Sequence, residues 1–300
     1  MQINMIRSDK VYQEMLELPL EKREGYFRAK ILAPFATKYQ TQHIPLKAKY
    51  SGGFDALFLL GFMNQLPSTL SEKDRPAIDA LSSDQLWQDC QDTIKRSIGL
   101  FEQAGYDLDV EDYHFTILLG NPEKPMLQLN KGYSGDGGIP GYLMLSLLPN
   151  DYTLPRVQAA LAHECNHNVR FQFIKWNQQT TLADWVVSEG LAESFAAELY
   201  GEDLIGPWVT STSSEQLEEI KPIISSQLQL TGMAEMAPYL YGDEIAKIQG
   251  QIPVGMPYAA GYAYGYHLIQ AYLKKTGKSI IEATVTPTEE ILEATKDFWK

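Results

Sequence analysis

The chain has 300 residues, 44% of them hydrophobic and 21% charged, enough for one large or two medium domains with a real core. Its formal charge of −13, with no run rich in lysine or arginine, excludes nucleic acid and anionic membrane surfaces as expected partners. Two cysteines, Cys90 and Cys165, give no disulfide framework and suit a reducing compartment.

Residues 1–20 mix Arg7, Asp9, Lys10, Glu14 and Glu17 among apolar positions, so they lack the apolar core of a signal peptide, and a cytoplasmic location is expected. The apolar stretch at 56–63 is too short to cross a bilayer, so no membrane segment is expected. Residues 9 to about 64 read as helical segments with a glycine-containing interruption at Tyr50-Ser51-Gly52-Gly53, and 67–76 as a polar connector. A long helix follows. Asp84 or Ser83 can cap it, Leu86, Cys90, Ile94, Ile98 and Phe101 recur at helical spacing, and Gly105 stands where a C-terminal cap belongs. Cys90 is then a core residue.

From Tyr113 the pattern becomes strand-like through Leu119, stopping at Gly120-Asn121-Pro122. A second strand is expected at 141–148, as the edge of a small mixed sheet where an extended peptide could pair. The glycine-rich run 132–140 before it reads as a loop, either a long hairpin connection or a substrate-binding loop. Thr153 and Pro155 signal the start of a helix running to about Trp176.

That helix carries His163-Glu164-Cys165-Asn166-His167. Positions i and i+4 stack on one helical face, so both imidazoles can reach one metal, while Glu164, about 100° further round, can address a water held there. Cys165, about 200° round from His163, points away, and Asn166 and Arg170 flank the metal-facing side without an assigned role. A catalytic zinc usually takes three protein ligands and an open position, which calls for a third ligand downstream. The helix expected from Thr181 to Tyr200, with Thr181 and Asp184 as a capping box and Gly201 as its stop, places Glu189 and Glu193 within about 40° of one another among apolar neighbours. Glu189 is the expected third ligand and Glu193 the acceptor that orients a ligand histidine; the opposite assignment is also open.

His163-Glu164-x-x-His167 followed by Ser188-Glu189-Gly190-Leu191-Ala192-Glu193 resembles the gluzincin pattern of metallopeptidases, shared by the thermolysin and membrane-alanyl-aminopeptidase families. More narrowly, Gly132-Tyr133-Ser134-Gly135, Gly138-Ile139-Pro140-Gly141-Tyr142, Ala162-His163-Glu164, Asn168-Val169-Arg170-Phe171, the Glu189 segment and Gly261-Tyr262-Ala263-Tyr264-Gly265-Tyr266 resemble the YjaZ-type family of predicted zinc-dependent proteases. This likeness covers roughly residues 110–295. It implies hydrolysis of a peptide bond by a zinc-bound water that Glu164 deprotonates. It also implies an oxyanion donor arriving from the C-terminal lobe, where Tyr262 is the first choice and Tyr264, Tyr266 and His267 are rivals. Some family members carry a chaperone-associated label. The expected fold is α+β and predominantly helical: an N-terminal helical region at 1–105, a zincin-like catalytic core with a small mixed β-sheet at 106–201, and a helical C-terminal lobe closing the cleft at 202–300. The expected partner is a peptide or unfolded protein. The alternative function is a peptide- or chaperone-binding protein with a structural or vestigial zinc site, against which the intact Glu164 speaks, because a structural site needs four protein ligands and no base.

Overall fold

A computed structural model describes residues 1–50, 52–177 and 179–299; Ser51, within the expected interruption, lies outside the described residues. Contacts divide the chain into two compact units, each discontinuous in sequence: Met1–Lys95 with Asp109–Leu161, and Arg96–Leu108 with Ala162–Lys300. The molecule is α+β and predominantly helical, with a small mixed sheet of four strands.

The first unit holds the sheet. Its strands are β1 (Gln2–Met5), β2 (Asp112–Leu119), β3 (Tyr133–Ile139) and β4 (Tyr142–Leu147), in the order β1-β2-β4-β3. β1 and β4 both pair parallel to β2, and β3 pairs antiparallel to β4. Consecutive residues of β2 from Phe115 to Leu119 are buried, as a central strand covered on both faces requires. The helix α1 (Ser8–Glu17) buries Val11, Tyr12, Met15 and Leu16, and the Tyr12 hydroxyl accepts the Leu119 backbone N–H at 3.2 Å. The helix α2 (Asp84–Gln103) buries Trp87, Cys90, Ile94, Ile98 and Phe101 at helical spacing, and Gly105 follows it at φ +88°.

Two expectations about the sheet are overturned. The segment around 141–148 is an inner strand, bonded on both sides, and the edge is β3, built from the glycine-rich run expected to be a loop. Glycine's weak β-propensity hides such a strand from sequence reading; here the glycines sit beside an irregularity between Asp136 and Ile139, and the positive φ of Gly141 (+87°) closes the hairpin. β1 escapes sequence reading because four residues with Gln2 and Asn4 among them show no apolar alternation, and the connector at 67–76 contains helical turns at Glu72–Asp74 and from Arg75.

In the second unit, the helix α3 (Val157–Phe173, its first turn in the other unit) is followed by α4 (Leu182–Tyr200). α3 stops short of Trp176, whose ring turns back onto Phe171 (centroids 5.0 Å apart) and Trp185 (4.3 Å). α4 opens with the reciprocal capping box: the Asp184 N–H donates to Thr181 Oγ1 at 3.3 Å and the Thr181 N–H donates to Asp184 Oδ2 at 2.9 Å. Two more N–H groups near its start, on Leu182 and Ala183, donate to the carbonyls of Leu230 and Leu228. α4 is buried on every side from Val186 to Ala196. The helices α5 (Met233–Tyr241) and α6 (Ala260–Thr276) lie beyond it in sequence. α6 meets α4 backbone to backbone: a Cβ on Gly190 would fall 2.1 Å from the Gly265 carbonyl oxygen, and one on Gly265 2.0 Å from that of Val186. Only glycine at both positions permits this approach.

Candidate metal centre

His163 and His167 project from one face of α3, with ring centroids 4.8 Å apart and planes at 78°. Glu189 comes from the middle of α4, one residue before the glycine that touches α6. All three side chains are buried. The two Nε2 atoms are 3.1 Å apart, and Glu189 Oε2 is 3.2 Å from one and 3.3 Å from the other. Glu193, one turn on, binds the far side of the first imidazole, its Oε2 2.7 Å from His163 Nδ1. The same carboxylate accepts from the Trp208 indole N–H at 2.7 Å and from the Gly206 backbone N–H, so three groups fix its orientation. His167 has no such carboxylate; its Nδ1 is buried without a partner among the described residues, and its ring stacks on Phe171 at 5.6 Å.

The protonation pattern tests whether this set suits a cation. A proton on His163 Nδ1, shared with Glu193, leaves a lone pair on His163 Nε2. When His167 also carries its proton on Nδ1, that lone pair faces a second one on His167 Nε2 and a carboxylate oxygen, and three acceptors converge. Either a further proton or a cation must enter. The proton route is visible in the electrostatics: burial lowers the His163 pKa, but hydrogen bonding to Glu189 and Glu193 holds it well above its ordinary value. Burial likewise pushes the Glu189 carboxyl up, and the charge of His167 with hydrogen bonds from both imidazoles brings it down to about 2. Geometry favours the cation, because a tetrahedral centre with N and O bonds of roughly 2.0–2.1 Å has ligand–ligand edges of about 3.3 Å. The donors fit zinc.

Glu164, 7% exposed, is electrostatically coupled to His163 and to Tyr262. Among the aromatic residues considered as donors, Tyr262 is the one coupled to both Glu189 and Glu164; burial, then those charges, push its phenol well above the ordinary range. Tyr264 hydrogen-bonds Ser225 at 3.1 Å, Tyr266 reaches Glu202 at 3.5 Å, and His267 lies beside the charge of Lys221. The Gly190–Gly265 contact explains why Tyr262 arrives here, since it sits one turn before Gly265 on the helix pressed against Glu189.

Sequence reading passed over four residues that matter to the site. Trp208 and Gly206 hold Glu193, and no spacing rule links positions 206 or 208 to 193. Asn166 and Arg170, expected only to flank the metal face, are fully buried. Arg170 donates to Ser188 Oγ (3.1 Å), to the carbonyls of Thr284 (2.8 Å) and Thr286 (3.0 Å), and to Thr288 Oγ1 (3.1 Å), while Asn166 donates to Thr284 Oγ1 at 2.7 Å. Cys165 is buried, as expected. No helix among the described residues is long and apolar enough to cross a membrane.

Comparison with known proteins places the chain among relatives whose family name carries zinc. The uncharacterized protein YjfC of Bacillus subtilis (strain 168) is 34% identical over 293 residues, 97% of each chain. The uncharacterized protein YjaZ of the same organism is 26% identical over 155 residues, 50% of this chain and 55% of its own. No solved structure matches significantly. The profile of the predicted Zn-dependent protease family DUF2268 matches residues 86–293, a span that holds every residue of the centre, and the chain belongs to that family.

Proposed function

We propose that the protein is a zinc-dependent peptidase of the gluzincin type, acting in the cytoplasm on peptides or unfolded segments. The observation that carries this reading is the mutual spacing of His163 Nε2, His167 Nε2 and Glu189 Oε2 at 3.1–3.3 Å, with a carboxylic acid residue beside them that is not one of the three. His163, His167 and Glu189 would hold the metal, and Glu193 fixes the His163 tautomer. A zinc ion bound there supplies Lewis acidity toward a carbonyl and lowers the pKa of a water molecule. Glu164 takes a proton from the attacking water and returns it to the departing amine nitrogen, so that one carboxylate serves as base and then as acid. The Tyr262 hydroxyl donates to the carbonyl oxygen as it gains charge. The base separates this reading from a vestigial site.

A peptide-library cleavage assay on the zinc-loaded protein, with and without chelator, tests the reading. Cleavage that chelator abolishes and zinc restores is the expected result, with Glu164→Gln retaining one zinc and losing turnover. Wild-type turnover by Glu164→Gln would overturn the mechanism.

A further inference from the structure

Two tyrosine side chains, not one, interact with the Glu189 carboxylate of this centre. The Tyr12, Tyr264 and Tyr266 hydroxyls each hydrogen-bond within the chain, whereas those of Tyr241 and Tyr262 make no hydrogen bond among the described residues. Tyr241 ends α5, and its ring lies 6.1 Å from that of Tyr262 at 37°. The placement is built by the backbone. Gly242, at φ +86°, turns the chain where a Cβ would sit 2.1 Å from the Pro257 carbonyl oxygen, and a Cβ on Gly261 would sit 2.8 Å from Leu240 Cα. The Ala259 N–H donates to the Tyr241 carbonyl at 2.8 Å, with Ala259 itself in the left-handed region at φ +54°. A non-glycine residue held there is strained, and surrounding structure must hold it. Residues 240–243 are thus locked against 256–261, and the two phenols are presented side by side. Both are coupled to the Glu189 carboxylate, and an aromatic chain continues from Tyr262 to Trp208 (6.3 Å) and His163 (5.9 Å).

We propose that Tyr241 is a catalytic residue that pairs with Tyr262, the two hydroxyls donating together to the oxyanion of a tetrahedral intermediate. This rests on the peptidase reading for its reaction. Both hydroxyls are left available to a ligand, and two donors placed at one developing charge need no reorganisation when it forms.

Tyr241→Phe removes one unbonded hydroxyl and keeps the ring, so the fold should stand. For zinc-loaded protein we expect kcat to fall about a hundred-fold with KM and zinc content unchanged, as for loss of a single oxyanion donor. A phosphinic peptide, whose tetrahedral phosphorus oxyanion mimics the intermediate, should bind more weakly by a similar factor in calorimetry. Unchanged kcat and unchanged phosphinic-peptide affinity would overturn the pairing and leave the peptidase reading intact. Loss of zinc or of thermal stability in step with kcat would overturn it in favour of packing. If the wild type cleaves no peptide yet binds the phosphinic peptide, and Tyr241→Phe weakens that binding, the peptidase reading falls while the paired donors stand. Absence of both cleavage and binding in the wild type overturns both.

Discussion

His163 and His167 share one face of α3 with Asn166 and Arg170, at i, i+3, i+4 and i+7, and all four are buried, yet Arg170 is partnered differently from the histidines. Arg170 spends its donors on acceptors: a serine hydroxyl on α4, two carbonyls and a threonine hydroxyl. The histidines turn their Nε2 atoms toward one another and toward Glu189. A buried guanidinium whose N–H groups meet acceptors from several segments holds the fold. A cluster in which two imidazole nitrogens and a carboxylate oxygen converge offers ligand atoms to a cation. Burial is similar in both, and hydrogen-bond complementarity separates scaffold from site.

Substitutions on the two sides should therefore fail in different ways. The largest loss of stability is expected from Arg170→Ala, which strips partners from two carbonyls and two hydroxyls and leaves a cavity; urea unfolding of the metal-free protein should show about 3–5 kcal/mol of destabilisation. A loss below about 1 kcal/mol would mean that water replaces the guanidinium and that the cluster is not a scaffold. On the catalytic side, Glu164→Gln should lower kcat by about a thousand-fold, roughly 4 kcal/mol of barrier, while urea unfolding and zinc content stay as in the wild type.

Between the two lies Gly190→Ala. Its new methyl meets the α6 backbone, so thermal unfolding should report about 1–3 kcal/mol of destabilisation, and the displaced Tyr262 should cost turnover as well. An unshifted melting point would show that the helices slide apart freely. The smallest effect is expected at Glu193→Gln, which keeps the shape of the carboxylate but weakens its hold on His163 Nδ1. A chelator-competition titration should give a 10- to 100-fold loss of zinc affinity with little change in stability. Equal affinity would remove Glu193 from its role.

Much of this was legible because it is local. The reciprocal contacts of Thr181 and Asp184 span one turn, the buried stripe from Trp87 to Phe101 repeats at helical spacing, and the strand ending at Leu119 shows as an apolar β-branched run. Elements failed to show where their signal was not side-chain pattern. The glycines of β3 carry no apolar alternation, and β1 is a strand because β2 offers it a parallel partner more than a hundred residues away. Of the site, His163, Glu164, His167, Glu189 and Glu193 were read from i, i+4 geometry on two helices. Gly206, Trp208 and Arg170 were not, since each bonds groups that no local spacing relates to it.

The sequence alone determined the chemistry available: two imidazoles and a carboxylate on one helix, and two carboxylates on the apolar face of another. Helical periodicity decides such things, and periodicity is written residue by residue. Tertiary structure decided how those groups divide their work. Which carboxylate faces both imidazoles and which is held by Trp208 and Gly206 depend on contacts between distant segments, as does the meeting of α6 with α4 at Gly190 and Gly265. These are packing events between segments that no local spacing relates.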